Sequence, residues 1–531
     1  MTSGRTFAVT IAAALFATAA ADACTGMYVG RKASASGATM LCRTVDLPPA
    51  TQLFRCESRA RVENAPGREC RGHHGFRWPL PPTTYAYVCT PAATSDDLGD
   101  FASLGMNEVG LAVTATVTGY SCEAIRNADP FVEAGLSEDS MTGLIAASCS
   151  TAREAVDLIA AVMEKVGGRE GNIVMVADQS EAWYVETYSG HQWAAVRMPE
   201  DKVAVFGNEF GIRAFDPSAP GVRASPGLVS MPEKAGLLVK AADAPIDVFR
   251  TYGGKVHDDF AHIRTWFGHR RFAQEGTVGE YGRELDLPLF FEPSGKVSAA
   301  EVFELFRSRY EGTPLCPEES GRRDVRVIGD EYQCTCHVIE VRDGVPAPLA
   351  CNAWFTLGAA EHSVFLPLYA MTKTTDAMFS ADSAPGAGKR SYDAGLASAH
   401  FRRLAAFAEL DRPFYGRGVR EYWRSCEKAM LAADSAVREK ARRLFAESPA
   451  RAAEFLTARS VALQRAALAD ARAMFDGLAW YVTENNSARK FNVNYHTHVL
   501  TPHKPRKPFV PSAGELKSAA SFNSGKGGNK P

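Results

Sequence analysis

Between Thr25 and about Ala204 the sequence is a succession of short apolar or alternating runs, and this pattern most limits the folds open to the chain. The runs are residues 26–30, 39–42, 85–89, 110–116, 173–177 and 181–186. Each is strand length, and the alternating ones suit a sheet with two unlike faces. Asp178, Gln179 and Ser180 make a polar turn inside an expected hairpin, and residues 188–191 make another before the run at 193–196. Among these strands residues 151–164 are helical in pattern, with Thr151 as N-cap, Glu154 at the capping-box position and apolar residues every three or four positions. A second helix opens at Ser298 with Glu301 by the same rule. Strands and helices segregated in this way predict an α+β sandwich and not a regular βαβ repeat.

Residues 386–495 turn to Ala, Arg, Glu and Leu at helical spacing, which predicts packed helices appended to a main domain of residues 24–385. Residues 496–531 are rich in Pro, Lys, Ser and Gly and are expected to be disordered. No internal repeat is present. The 59 Lys and Arg nearly balance the 61 Asp and Glu, so the charge points to no nucleic-acid partner.

The first 23 residues read as a secretory leader: Arg5 is the positive start, residues 7–20 are apolar, and Ala21-Asp22-Ala23 is a small-x-small cleavage site. A signal anchor is the rival, but the apolar run is short for a span and no other long apolar stretch follows. A lipid-attachment signal is the second rival, and Ala21 and Asp22 fit it poorly. Cleavage leaves Cys24 first, and the mature chain is expected to be secreted or periplasmic, without stable membrane insertion. Twelve cysteines agree with export and lead to an expectation of disulfides, with at least one further thiol unpaired once Cys24 is set aside.

A cysteine that begins a chain carries its own base. Its α-amine has an ordinary pKa of about 7.7 to 8.0, against about 8.5 for the thiol, so a useful fraction of the amine is unprotonated at neutral pH. Such a site further needs a carboxylate to hold the amine, a cation near the sulfur and donors for an oxyanion.

The run from Cys24 through Gly30-Arg-Lys-Ala-Ser34 to Arg43 and Asp46, 19 and 22 residues after the cysteine, resembles the start of the cysteine dipeptidases typified by dipeptidase A. These belong to the N-terminal-nucleophile hydrolases, alongside penicillin V acylase and bile salt hydrolase. Further similarities follow in order: Asn107-Glu-Val-Gly110, the Glu181-Ala-Trp183 hairpin with Trp193, Gly207-Asn208, Arg264-Thr-Trp266 and residues 364–369. The resemblance covers roughly residues 24–381. It implies a four-layer αββα sandwich with the helical stretch as a C-terminal extension, and hydrolysis of dipeptides through an acyl-enzyme, without cofactor or metal. It also implies the roles: Cys24 as nucleophile with its amine as base, Asp46 holding the amine, Arg43 and Arg264 biasing the site toward thiolate, and Asn208 in the oxyanion hole. Val117 replaces an acidic residue of the family pattern, which ranks Thr116 below Asn208 as an oxyanion donor. An amidase acting on N-acyl substrates of the penicillin V or conjugated bile acid type is the alternative, and a non-catalytic binding protein would have no use for a cysteine at the cleavage point. Short peptides are the expected partners, an oligomer remains open, and substrate-binding residues are not identified.

Other features take plainer readings. Asn107 before Gly110 reads as a turn residue, and Trp183 and Trp193 as hairpin packing. Cys334-Thr-Cys336-His337 and His73-His74 lack the second pair that a zinc site needs. Gly386-Ala-Gly-Lys389 lacks the leading glycine of a phosphate loop, and no Gly-x-Ser-x-Gly elbow occurs.

Overall fold

The computed structural model describes residues 24–47, 53–93, 101–254, 257–322, 324–382, 392–486, 491–493, 500–502 and 507–511. The expected leader and the Gly386 to Lys389 stretch lie outside them. Two antiparallel sheets form the centre. One has six strands, in the order Val203–Phe206, Thr25–Val29, Thr39–Asp46, Gln333–Val341, Cys351–Phe355, Leu366–Tyr369. The other has eight, in the order Val222–Ala224, Trp193–Arg197, Ala182–Thr187, Asn172–Ala177, Ala112–Thr118, Ala102–Asn107, Tyr87–Pro91, Glu57–Arg59.

Period two decides which residues meet which layer. In the strand Asn172–Ala177, Ile173, Met175 and Ala177 enter the core between the sheets, whereas Val174 and Val176 enter a second core. The neighbouring strand repeats this, with Ala182 and Tyr184 on the first side and Trp183 and Val185 on the second. The second core is closed by the helices Glu138–Ser148 and Ala152–Lys165. On the far side of the six-stranded sheet lie Asp259–Phe272 and Ala299–Phe306. At Gly268 a Cβ would stand 2.3 Å from Val205, so the first of these helices sits as close to its strand as only glycine permits. The result is four layers, αββα, as the resemblance implied.

Local signals in the sequence account for the ends of the helices. Thr151 accepts from the amide of Glu154 at 3.1 Å, and Ser298 with Glu301 closes a full capping box. Beyond the sandwich, Ala397–Glu409, Arg417–Glu447 and Pro449–Asn486 pack as helices against it. They are fixed there partly by Arg307, whose guanidinium makes two bonds of 2.9 and 2.6 Å to the buried carboxylate of Glu427. Removing either partner of such a pair strands a buried charge and costs about 3 to 5 kcal/mol. Among the described residues no helix is long and apolar enough to cross a membrane.

One expectation is corrected. No disulfide joins any of the twelve cysteines. Ten of them are buried, and strand alternation sends near neighbours apart: Cys56 enters the core between the sheets and Cys89 the other core. Buried in this way, they behave as small core hydrophobes. Of the C-terminal stretch, residues 507–511 are among those described: the Phe509 ring lies 5.8 Å from that of Tyr481 and its amide donates to the Phe414 carbonyl at 2.7 Å.

Candidate active site

Cys24 immediately precedes the strand Thr25–Val29, in a ladder where Thr25 faces Thr44 and Gly26 faces Arg43. By alternation Cys24, Gly26 and Arg43 share the face turned toward the other sheet, and Thr25, Thr44 and Asp46 share the opposite face. The sequence separations of 19 and 22 thus become a short cross-strand distance, with the two charged residues on either side of the sheet.

On the inner face Arg43 donates through Nη2 to Cys24 Sγ at 3.1 Å and to Glu138 Oε1 at 2.6 Å. Its guanidinium lies over Phe101, and its cross-strand neighbour His337 bonds Thr114 of the other sheet at 2.8 Å through Nε2. Burial and Arg43 hold His337 well below the usual imidazole range, so it is a neutral brace between the sheets. Arg43 is 1% exposed, and its Nε and Nη1 are buried with no partner among the described residues. Glu138 begins the helix Glu138–Ser148, and its amide donates to Glu170 at 2.8 Å. Burial, with the charge of Glu138, pushes Glu170 up to about 7.

Burial pushes the Cys24 thiol up to about 12, and the pull of Arg43 is opposed by Glu138 and Asp46. A thiol at that value is ionised to roughly one part in 10^5 at pH 7. Of the two arginines expected to bias the sulfur, Arg43 favours the thiolate but is shared with Glu138, and Arg264 donates through Nη1 to the Cys24 carbonyl and to Thr25 Oγ1 at 3.3 Å. Thiol chemistry here requires a base.

On the outer face Asp46 accepts through Oδ2 from Thr44 at 3.2 Å and from Arg326 at 2.7 Å. Arg326 also pairs with Asp330. Oδ1 of Asp46 is buried and has no partner among the described residues. Arg264 enters from the helix Asp259–Phe272 and donates through Nη2 to Asn208 Oδ1 at 2.7 Å, and Asn208 Nδ2 donates to the Thr118 carbonyl at 3.0 Å. A Cβ on Gly207 would stand 2.9 Å from the Arg264 guanidinium, so a bare backbone there lets the arginine approach. Asn208 is therefore tied into the frame around Cys24 through Arg264.

Next to it, Glu209 accepts from His257 Nδ1 at 2.9 Å and from His262 Nδ1 at 2.8 Å. This set of ligand types would suit a divalent metal, but the two imidazoles are stacked with centroids 3.8 Å apart. An ion on both Nδ1 atoms would sit well outside a ring plane, so the trio reads as a clamp on the turn that carries Asn208.

Burial pushes Asp46 up to about 7, against the pull of Arg326. A carboxyl held above its unfolded value favours the folded chain at acid pH, and that contribution is lost as pH climbs from about 4 through about 7. In the chain that retains residues 1–23, Asp46→Asn is expected to flatten the pH dependence of Tm across that window. In the chain that begins at Cys24 the same variant is expected to lower kcat by about 100-fold or more. Tm measured from pH 4 to 8, together with turnover, checks both.

Asn107 proves a turn residue: its Oδ1 accepts from the amides of Val109 and Leu111 at 3.2 and 3.0 Å. Trp183 and Trp193 pack in the helix-side core, away from Cys24. Glu138, Glu170 and Arg326 had no place in the sequence reading. They come from distant segments with no motif around them, and only the contact pattern reveals them.

The profile of peptidase family C69 matches residues 23–394. Among similar curated proteins, a probable dipeptidase B of Streptococcus pyogenes serotype M1 is 30% identical over 361 residues, covering 65% of this chain and 71% of that protein. A probable dipeptidase of Salmonella dublin is 31% identical over 357 residues, covering 65% and 81%. Among solved structures, a mutant of conjugated bile acid hydrolase from Clostridium perfringens aligns with 12% identity and a TM-score of 0.25, over 65% of this chain and 92% of that one.

Proposed function

Because this chain belongs to peptidase family C69 and is a cysteine-type peptidase, we propose that it is an exported dipeptidase whose nucleophile is Cys24, freed as the first residue when the leader is removed. The observation that carries this is the pair of features around one residue: an arginine on the Cys24 sulfur, and on the neighbouring strand a buried carboxylate oxygen of Asp46 without a partner among the described residues. An unpaired buried acceptor costs about 1 to 3 kcal/mol, and the ammonium of a newly freed Cys24 is the group that would fill it. The leader grammar of residues 1–23 supports export to a secreted or periplasmic location.

In the reaction the thiol proton passes to the Cys24 amine and the sulfur adds to the scissile carbonyl carbon. The oxyanion forms near Arg43 and the Asn208 segment. Collapse breaks the C–N bond as the amine returns its proton to the leaving nitrogen, which releases the second amino acid. Water, deprotonated by the same amine, then hydrolyses the thioester and releases the first. A thiol that burial keeps protonated makes the built-in base essential.

Release of both amino acids from a panel of unblocked dipeptides is expected, with little or no hydrolysis of penicillin V or glycine-conjugated bile acids. Amino-acid analysis of the reaction checks it. Strong cleavage of the acylated compounds with no dipeptide cleavage would transfer the assignment to the N-acyl amidase reading.

A further inference from the structure

On the dipeptidase reading, we propose that Glu138 binds the free α-ammonium of the substrate and is the residue by which the enzyme distinguishes an unblocked dipeptide from an N-acylated one. One arginine nitrogen joins it to the nucleophile: Arg43 Nη2 is 3.1 Å from Cys24 Sγ and 2.6 Å from Glu138 Oε1, so that carboxylate oxygen lies within about 6 Å of the sulfur. In an aminoacyl group the α-nitrogen stands about 2.5 Å from its own carbonyl carbon. With that carbon at an attack distance of about 3 to 3.5 Å from the sulfur, the ammonium falls in the range that Glu138 spans. A side-chain amine farther along the substrate would overshoot it.

Three more observations point to a ligand at this place. The Glu138 side chain is 14% exposed where its partner Arg43 is 1% exposed, and among the described residues no donor reaches its second carboxylate oxygen. The carboxylate therefore opens outward from a closed arginine. Arg43 keeps Nε and Nη1 buried without acceptors among the described residues, and donors in that condition beside a nucleophile suit the carbonyl oxygen of the same bound molecule. Finally, the negative charge of Glu138 acts against ionisation of the Cys24 thiol. A residue retained only to activate the sulfur would carry the other sign, whereas a residue retained for an incoming cation must be negative.

The simplest rival is that Glu138 merely balances and positions Arg43. The two differ in which substrates suffer. In the full mature chain, kcat and KM are measured for a dipeptide and its N-acetyl derivative with wild type, Glu138→Gln and Glu138→Asp. The expected result is a wild-type preference for the free amine of about 100-fold or more, and a Gln variant that loses about 10- to 100-fold in kcat/KM on the free dipeptide, chiefly in KM, with the acetylated substrate changed less than about threefold. The Asp variant, which keeps the charge, is expected to keep the preference and serves where the Gln variant does not fold. Equal losses on both substrates, or an Asp variant without preference, would overturn the assignment of Glu138 and leave the dipeptidase reading standing. A wild type that cleaves the acetylated substrate as well as the free one would overturn both.

Discussion

Cys24→Ala is expected to leave no measurable turnover, a loss of about 10^4-fold or more in kcat, while the fold persists. The sulfur is the protein's only nucleophile in the proposed reaction, and it accepts a bond from Arg43, which keeps its bond to Glu138 when the sulfur is gone. Removing one buried thiol leaves a small void and is expected to lower Tm by only a few degrees. Cys24→Ser retains the amine but offers a poorer nucleophile, so slight activity survives. Turnover, with thermal melting as the control for folding, decides the matter. An Ala variant within tenfold of wild type would remove Cys24 from the mechanism.

The second large effect requires no substitution. A chain with one extra residue in front of Cys24 keeps the sulfur, Arg43 and Asp46 but turns the α-amine into an amide that cannot take a proton. Its kcat is expected to fall by about 10^2- to 10^4-fold, the range in which a positioned acid–base group contributes. The thiol is already held at about 12 by burial, so no spontaneous ionisation replaces the lost base. Intact mass spectrometry of the preparation, read beside its turnover, checks this. Full activity with residues retained before Cys24 would show that the base lies elsewhere.

The layers of the fold were legible because strand alternation and helix caps are local properties. Thr151 and Ser298 began helices where the sequence placed them, and the turn at Asp178 is closed by bonds from Ser180 and Glu181 to its carboxylate at 2.6 and 2.9 Å. The first part of the site was legible for a related reason: Cys24, Arg43 and Asp46 lie on adjoining strands, so spacing along the chain translates directly into register. Arg264 was found by its motif, but sequence does not say which atom of Cys24 a guanidinium meets, and here it is the carbonyl. Arg326 reaches Asp46 across 280 positions from a stretch with no signature. The expected disulfides did not follow from the number of cysteines, because pairing depends on which face of a strand each thiol occupies.

The strand Thr39–Asp46 also acts as a partition. Three positions apart on one strand, Arg43 and Asp46 look into different rooms: one opens on the sulfur and Glu138, the other on Arg326 and Arg264. The peptide backbone between them is a wall two residues thick. On the proposed mechanism, a substitution in the first room alters what meets the sulfur, and one in the second alters the carboxylate behind the wall, whose charge still reaches the sulfur.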